Sequence, residues 1–333
     1  MTETVLVTGG TGFVAGWCIA ELLAGGYAVR TTVRSAGRKD AIDDRVHVVV
    51  ADLGGDEGWD AAVAGCDHVL HVASPMSGDS GDDPDALVDA ARDGTLRVLR
   101  AAAKAGVRRV VMTSSTAAAT PAAPTPGTVA DETVWTDPGD RSLNQYRRSK
   151  VIAERAAWDF MAGYDGPMTL TTVLPVAVFG PLRPGANRGS VEVIERLLDG
   201  RPPVLPRFGF SIVDVRDLAG LHLRAMTEPT AAGRRYIASG DFLWYADIAR
   251  ILRSRLGTRA AKVPTRGVPD VMVRALARVI PALRPLTPLL GRDLTFSANR
   301  ARTELGFAPR PVEATILDCA ATLQKGSSEE TPG

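Results

Sequence analysis

Apolar and polar positions alternate in a regular rhythm along the first half of the chain. Short apolar runs at 4–7, 27–33, 46–50, 68–73, 107–112 and 168–173 have the length and bounding residues of strands. Stretches at 17–23, 84–105 and 146–161 carry the three-to-four-residue spacing of helices. Strand and helix in turn predict an α/β fold, a doubly wound parallel sheet with right-handed crossovers. Beyond residue 175 the rhythm loosens: a Gly/Pro-rich segment at 179–187, a helical stretch at 190–198, a loop at 202–206, strand then helix at 212–226, and a short strand at 235–238. Helices at 245–256, 268–280 and 312–323 complete the chain, joined by proline-rich connections. The expected division is a sheet domain of 1–175 plus 208–240 and a smaller, mostly helical part of 176–207 plus 241–325. That part caps the carboxyl edge of the sheet as one wall of a cleft. Residues 326–333, small, polar and acidic, are expected to be a disordered tail.

Composition narrows what such a protein handles. Its 333 residues can bury a large core, and 39 Lys plus Arg stand against 38 Asp plus Glu. That balance favours neither nucleic acid nor an anionic membrane, and a small molecule is the expected partner. Cys18, Cys66 and Cys319 make neither a disulfide framework nor a C-x-x-C pair, and His47, His68, His71 and His222 lack metal-ligand spacing, so no metal is expected. The chain enters a strand at once, with no room for a leader, and the apolar stretch 271–290 is broken by Arg274, Arg278, Pro281, Arg284 and Pro285. A soluble, cytoplasmic protein is expected, with a homodimer as one open quaternary state.

The first strand runs into Thr8-Gly9-Gly10-Thr11-Gly12-Phe13-Val14-Ala15-Gly16, and a helix follows. Gly10, Gly12 and Ala15 fit G-x-G-x-x-G/A, and Gly9, Gly12 and Ala15 fit the wider G-x-x-G-x-x-G/A. Strand, glycine turn and helix are the context of a dinucleotide-binding Rossmann fingerprint. The backbone there comes close to a pyrophosphate, whose charge meets the N–H groups opening the helix. Gly9, Thr11, Gly12, Phe13 and Val14 are the expected contacts. The second strand ends in Arg34-Ser35, continues to Arg38-Lys39 and reaches its first acid only at Asp40. An acid at the strand end would bind an unmodified ribose and repel a phosphate. Cations at Arg34 and Lys39 predict NADP(H), read through its 2′-phosphate; the bland alternative is a solvated loop.

Tyr146 and Lys150, four residues apart, share one face of a helix. A phenol is a poor acid or base near neutrality, and a neighbouring ammonium draws its pKa down, so the pair predicts proton transfer. Ser114 and Ser115 lie at the carboxyl end of the fifth strand, where parallel sheets present active groups; a hydroxyl there holds a carbonyl oxygen or simply caps a turn.

With these residues in place the chain resembles the extended short-chain dehydrogenases/reductases, over nearly its whole length. The strings His-Val-Ala-Ser-Pro-Met at 71–76 and Tyr-x-x-Ser-Lys-x-x-Ala-Glu-x-Ala-Ala-Trp at 146–158 are most similar to the dihydroflavonol reductase, cinnamoyl-CoA reductase and aldehyde (ketone) reductase group. The resemblance implies an NADPH-dependent, reversible reduction of an aldehyde or ketone to an alcohol. It implies Tyr146 as proton donor, Lys150 lowering its pKa and binding the nicotinamide ribose, and Ser115 orienting the carbonyl. By the same likeness Asp52 and Leu53 flank the adenine, Val72, Ala73 and Ser74 line the cofactor, and Pro175 and Val178 lie beside the nicotinamide. Thr120 stands about where flavonoid reductases carry an asparagine that contacts the flavonoid, which argues against that substrate. Two other readings stay open: a nucleotide-sugar epimerase, dehydratase or hydroxysteroid dehydrogenase with the same Tyr/Lys/Ser set, and a non-catalytic dinucleotide sensor.

Overall fold

A computed structural model describes residues 2–75, 85–122, 124–125, 127–140, 143–187 and 189–329. Seven strands form the main sheet: β1 (Thr4–Val7), β2 (Ala28–Val33), β3 (His47–Val50), β4 (His68–His71), β5 (Arg109–Thr113), β6 (Thr169–Pro175) and β7 (Arg235–Ala238). They are parallel throughout and run in the order β3-β2-β1-β4-β5-β6-β7. The order reverses between β1 and β4, which opens a crevice at their carboxyl ends.

Among the described residues the α-helices, in chain order, are α1 (Phe13–Ala24), α2 (Trp59–Val63), α3 (Ala86–Lys104), α4 (Gln145–Ala162), α5 (Glu192–Leu198), α6 (Val215–Thr227), α7 (Tyr245–Leu256), α8 (Asp270–Leu276), α9 (Asn299–Leu305) and α10 (Val312–Glu329). The two-residue period of a strand distributes them over two faces. Val5 and Val7 of β1 pack with Ala15, Ile19 and Leu22 of α1 and Leu218 and Leu221 of α6. Leu6, between them, packs on the other face with Trp59, Val98 and Ala153 of α2, α3 and α4. All three strand residues are fully buried, and each such side chain contributes about 1.5–3 kcal/mol of transfer free energy. A third core joins α5, α7 and α10 through Ile194, Leu197, Ile248, Leu252 and Ile316.

Several expectations are corrected. The alternation of strand and helix lapses between β2 and β3, where the chain makes only a 3₁₀ turn, Ala36–Ala41. The helix expected at 268–280 ends at Leu276, and Pro281–Leu286 forms a 3₁₀ turn in which Pro281 and Pro285 have no N–H to continue an α-ladder. The strand Gly209–Asp214 joins a second sheet, parallel to Ala177–Phe179 and antiparallel to Phe242–Trp244, so segments assigned to different parts of the chain share backbone hydrogen bonds. Residues 326–329, assigned to the tail, continue α10, and 330–333 lie outside the described residues. Met76, the loop 77–83 and the helix start expected at 84 also lie outside them. No helix among the described residues is long and apolar enough to cross a membrane.

Candidate active site

The glycine turn closes on itself between β1 and α1. Gly9 has a φ of +74°, where a side chain would be strained, and a Cβ on Gly10 would stand 2.4 Å from Thr31 Oγ1. Gly9 N–H donates to Thr32 Oγ1 at 3.0 Å, Gly10 N–H to Thr32 O at 2.9 Å, and Gly12 N–H to Gly9 O at 2.8 Å. Gly12 is the N-cap of α1, with no side-chain cap and no acid in the first turn. The N–H groups that open this helix therefore remain available to an anion in the crevice. A dinucleotide fits this backbone.

One cleft of about 780 Å³ gathers most of the residues singled out above. Gly9, Thr11, Gly12, Phe13, Val14, Arg34, Asp52, Leu53, Val72, Ala73, Ser74, Tyr146, Lys150, Pro175 and Val178 line it. Lys39 does not; Arg38 lines it in the same 3₁₀ turn. Ser115 does not line it either, whereas Thr113 and Ser114 do. The Ser115 Oγ accepts from Ala117 N–H at 3.1 Å and caps a short 3₁₀ turn, Thr116–Ala119. Thr120 is buried, its hydroxyl donating to Thr116 O at 2.8 Å.

Helix α4 carries Tyr146 and Lys150 into the cleft, capped by Asn144, whose side chain accepts from Arg147 N–H at 2.8 Å. The Lys150 Nζ lies 6.0 Å from the centre of the Tyr146 ring. Tyr146 as a whole keeps 42% of its surface exposed, yet the loss of water around the phenol raises it above its ordinary pKa. Burial pushes the Lys150 ammonium down to about 8, against the opposing charge of Glu154. Desolvation thus opposes the downward pull on the phenol expected from the neighbouring ammonium. Burial, helped by Lys150, also pushes His71 down to about 3, so its ring is neutral. Thr8 Oγ1 accepts from Val72 N–H at 3.1 Å and Ala73 N–H at 2.9 Å, and therefore gives its own proton to His71 Nδ1 at 3.0 Å. One hydroxyl thus ties the end of β1 to the Val72-Ala73 wall.

Sequence reasoning missed Thr8 in this role, and it missed a buried ion pair behind the cleft. Glu154, fully buried, accepts from Ser114 Oγ at 2.6 Å, Thr172 Oγ1 at 2.8 Å and Arg235 Nε at 2.9 Å. The available signal was the spacing: Glu154 follows Lys150 by four residues on the same helix face. Arg235 offered no such signal, since it reaches Glu154 from a strand distant in the chain. The three cysteines are free and buried, and no group of three His, Cys, Asp or Glu among the described residues could hold a metal.

Comparison with known proteins agrees with this geometry. The model of the NAD dependent epimerase/dehydratase family matches residues 5–238. Cinnamoyl-CoA reductase CAD2 of Medicago truncatula is 36% identical over 337 residues, covering 97% of this chain and 96% of that one. Dihydroflavonol 4-reductase of Dianthus caryophyllus is 33% identical over 268 residues, covering 75% and 73%. Among solved structures, yeast methylglyoxal/isovaleraldehyde reductase Gre2 complexed with NADPH superposes with a TM-score of 0.82 at 25% identity, over 98% of this chain and 99% of that one. Gre2 of Candida albicans in complex with NADPH gives 0.81 at 27% identity, over 97% and 99%. By the family match, these relatives and the shared sheet, the chain belongs to the NAD dependent epimerase/dehydratase family, the extended short-chain dehydrogenases/reductases.

Proposed function

We propose that this protein is an oxidoreductase that uses NADPH to reduce an aldehyde or ketone to an alcohol, reversibly. The observation that carries the reading is that one cleft holds an uncapped helix start, Arg34 just past β2 with Arg38 in the 3₁₀ turn that follows, and the Tyr146/Lys150 pair. The relatives named above support the class of reaction. The dinucleotide supplies the hydride when bound. The chain's own residues do the rest. The N–H groups opening α1 bind the pyrophosphate, and Arg34 and Arg38 face the 2′-phosphate. Tyr146 gives its proton to the carbonyl oxygen as hydride arrives, and its raised pKa keeps that proton in place near neutrality. Lys150 stabilises the phenolate left behind, and Ser115, which lies just outside the cleft with its Oγ accepting from Ala117 N–H and its own proton still to give, orients the carbonyl once substrate is bound. With a panel of aldehydes, ketones and an acyl-CoA thioester, the near-UV absorbance of NADPH should fall in step with product. Turnover of a nucleotide sugar without net loss of NADPH would instead favour an epimerase.

Cofactor choice gives a second test. A charge-assisted contact is worth about 1.5–3 kcal/mol, so NADPH is expected to be preferred over NADH by about tenfold or more in kcat/KM. Arg34→Ala should shrink that preference, mainly by raising KM for NADPH. Unchanged selectivity in the variant would show that Arg34 does not read the phosphate.

A further inference from the structure

Behind the cleft, Glu154 and Arg235 form an ion pair sealed from solvent, their side chains 0% and 7% exposed. The pair is saturated. Arg235 places its Nε on Glu154 Oε1 at 2.9 Å, Nη1 on Glu132 O at 2.8 Å and Val134 O at 2.9 Å, and Nη2 on Ala118 O at 3.1 Å and Glu154 Oε2 at 3.3 Å. Those five bonds use all five guanidinium N–H groups. Glu154 also accepts from Ser114 Oγ, Thr172 Oγ1 and Trp158 Nε1. Buried pairs of this kind are poor sources of stability, because apolar residues of the same volume often serve as well. Its location gives it a different use. Glu154 lies one helical turn beyond Lys150, and the hydroxyl it captures belongs to Ser114, which lines the cleft.

Resting on the reading of Lys150 as part of the active site, we infer that Glu154 is a positioning residue: the buried counter-charge that keeps Lys150 an ammonium while Arg235 anchors it to the wall at Ala118 and Glu132 to Val134. Among the described residues, the surroundings of Lys150 leave this role to Glu154. His71 faces it from the end of β4 as a neutral ring, and Tyr146 faces it from its own helix. Helix α3 packs on α4 through an apolar cluster that includes Ala91, Val98, Ala153 and Ala157, and the pair between Asp85, the N-cap of α3, and Arg148 is solvent-exposed. Around Glu154 itself, Arg155 donates to Thr136 O, and the buried Glu132 carboxylate accepts from Ile237 N–H at 2.9 Å. Glu154 is also the opposing charge that holds Lys150 up at about 8 against burial.

The test is the alkaline limb of kcat/KM for carbonyl reduction. In the wild type this limb is expected near pH 8, where Lys150 loses its proton. Glu154→Gln keeps the shape and removes the charge, and should move the limb down by about one pH unit, a loss of about fivefold in kcat/KM at the wild-type midpoint that approaches about tenfold above it. Glu154→Asp keeps the charge, and Ser114→Ala removes only a donor; both should leave the limb in place whatever they do to kcat. The midpoint does not depend on how much of a preparation is folded. If Glu154→Gln does not fold, Glu154→Gln with Arg235→Met leaves no unpaired charge and should give a smaller shift of the same sign, because Glu154 shares a helix with Lys150. An unmoved midpoint in the charge-removing variant that folds overturns the inference. Lys150→Met separates the two claims: if the limb persists there, the reading of the site fails; if the limb is lost there but unmoved in Glu154→Gln, only the role of Glu154 fails.

Discussion

A Tyr146→Phe variant is expected to lose about a hundredfold or more in kcat for carbonyl reduction while binding NADPH almost as the wild type does. Removing one hydroxyl takes away the proton that must reach the carbonyl oxygen, and general acid catalysis of this kind is worth about 10²–10⁴-fold. Nothing else depends on that hydroxyl: among the described residues it has no hydrogen-bond partner, and the glycine turn and Arg34 lie on other elements of the cleft. The variant should therefore melt with the wild type. Single-turnover rates alongside cofactor titration would check both halves. A near-normal kcat with a simple aldehyde or ketone would remove Tyr146 from the mechanism.

The second large effect is on stability. Arg235→Ala should destabilise the fold by about 3–5 kcal/mol, because it strands a fully buried carboxylate and strips donors from the carbonyls of Ala118, Glu132 and Val134. In a thermal melt that corresponds to a fall of about 10 °C for a domain of this size. The guanidinium also stacks on Trp135, 3.7 Å from the ring centre, and that packing is lost with it. Lys104→Ala is the matched control. Lys104 pairs with Asp60 at 2.6 Å, a shorter contact, but both side chains are 71% exposed and the pair is screened by water. Its removal should leave the melt unchanged. A silent Arg235→Ala would mean that the wall relaxes around the gap.

The parts of the site legible in the sequence are those set by neighbours along the chain. The glycine turn follows its strand directly, and Tyr146 and Lys150 meet because a helix repeats every 3.6 residues. Turn phase was harder to read. Lys39 and Arg38 are adjacent in one 3₁₀ turn, and only the turn's orientation brings Arg38 to the cleft. The same holds for Ser114 and Ser115, which succeed each other past the end of β5: one lines the cleft with its hydroxyl on Glu154, and the other caps the next turn. Arg235 and Glu154, 81 residues apart, meet only because β7 pairs with β6. No local pattern encodes that. Nor does alternation along Gly209–Asp214 say which sheet it joins; that follows from Ala177–Phe179 coming just after β6 and offering the nearer edge.

The bare start of α1 has a consequence for how long the protein lasts. A serine or aspartate at Gly12 would satisfy helix donors from within the chain, whereas glycine leaves them to the solvent or to a phosphate. The folded state is thereby linked to the dinucleotide supply: at a hundredfold excess over Kd the ligand adds about 2.7 kcal/mol. That margin shrinks the population open to proteases by about a hundredfold. Saturating dinucleotide is therefore expected to slow proteolysis of the purified protein, and removing it to restore the faster rate of the unliganded chain.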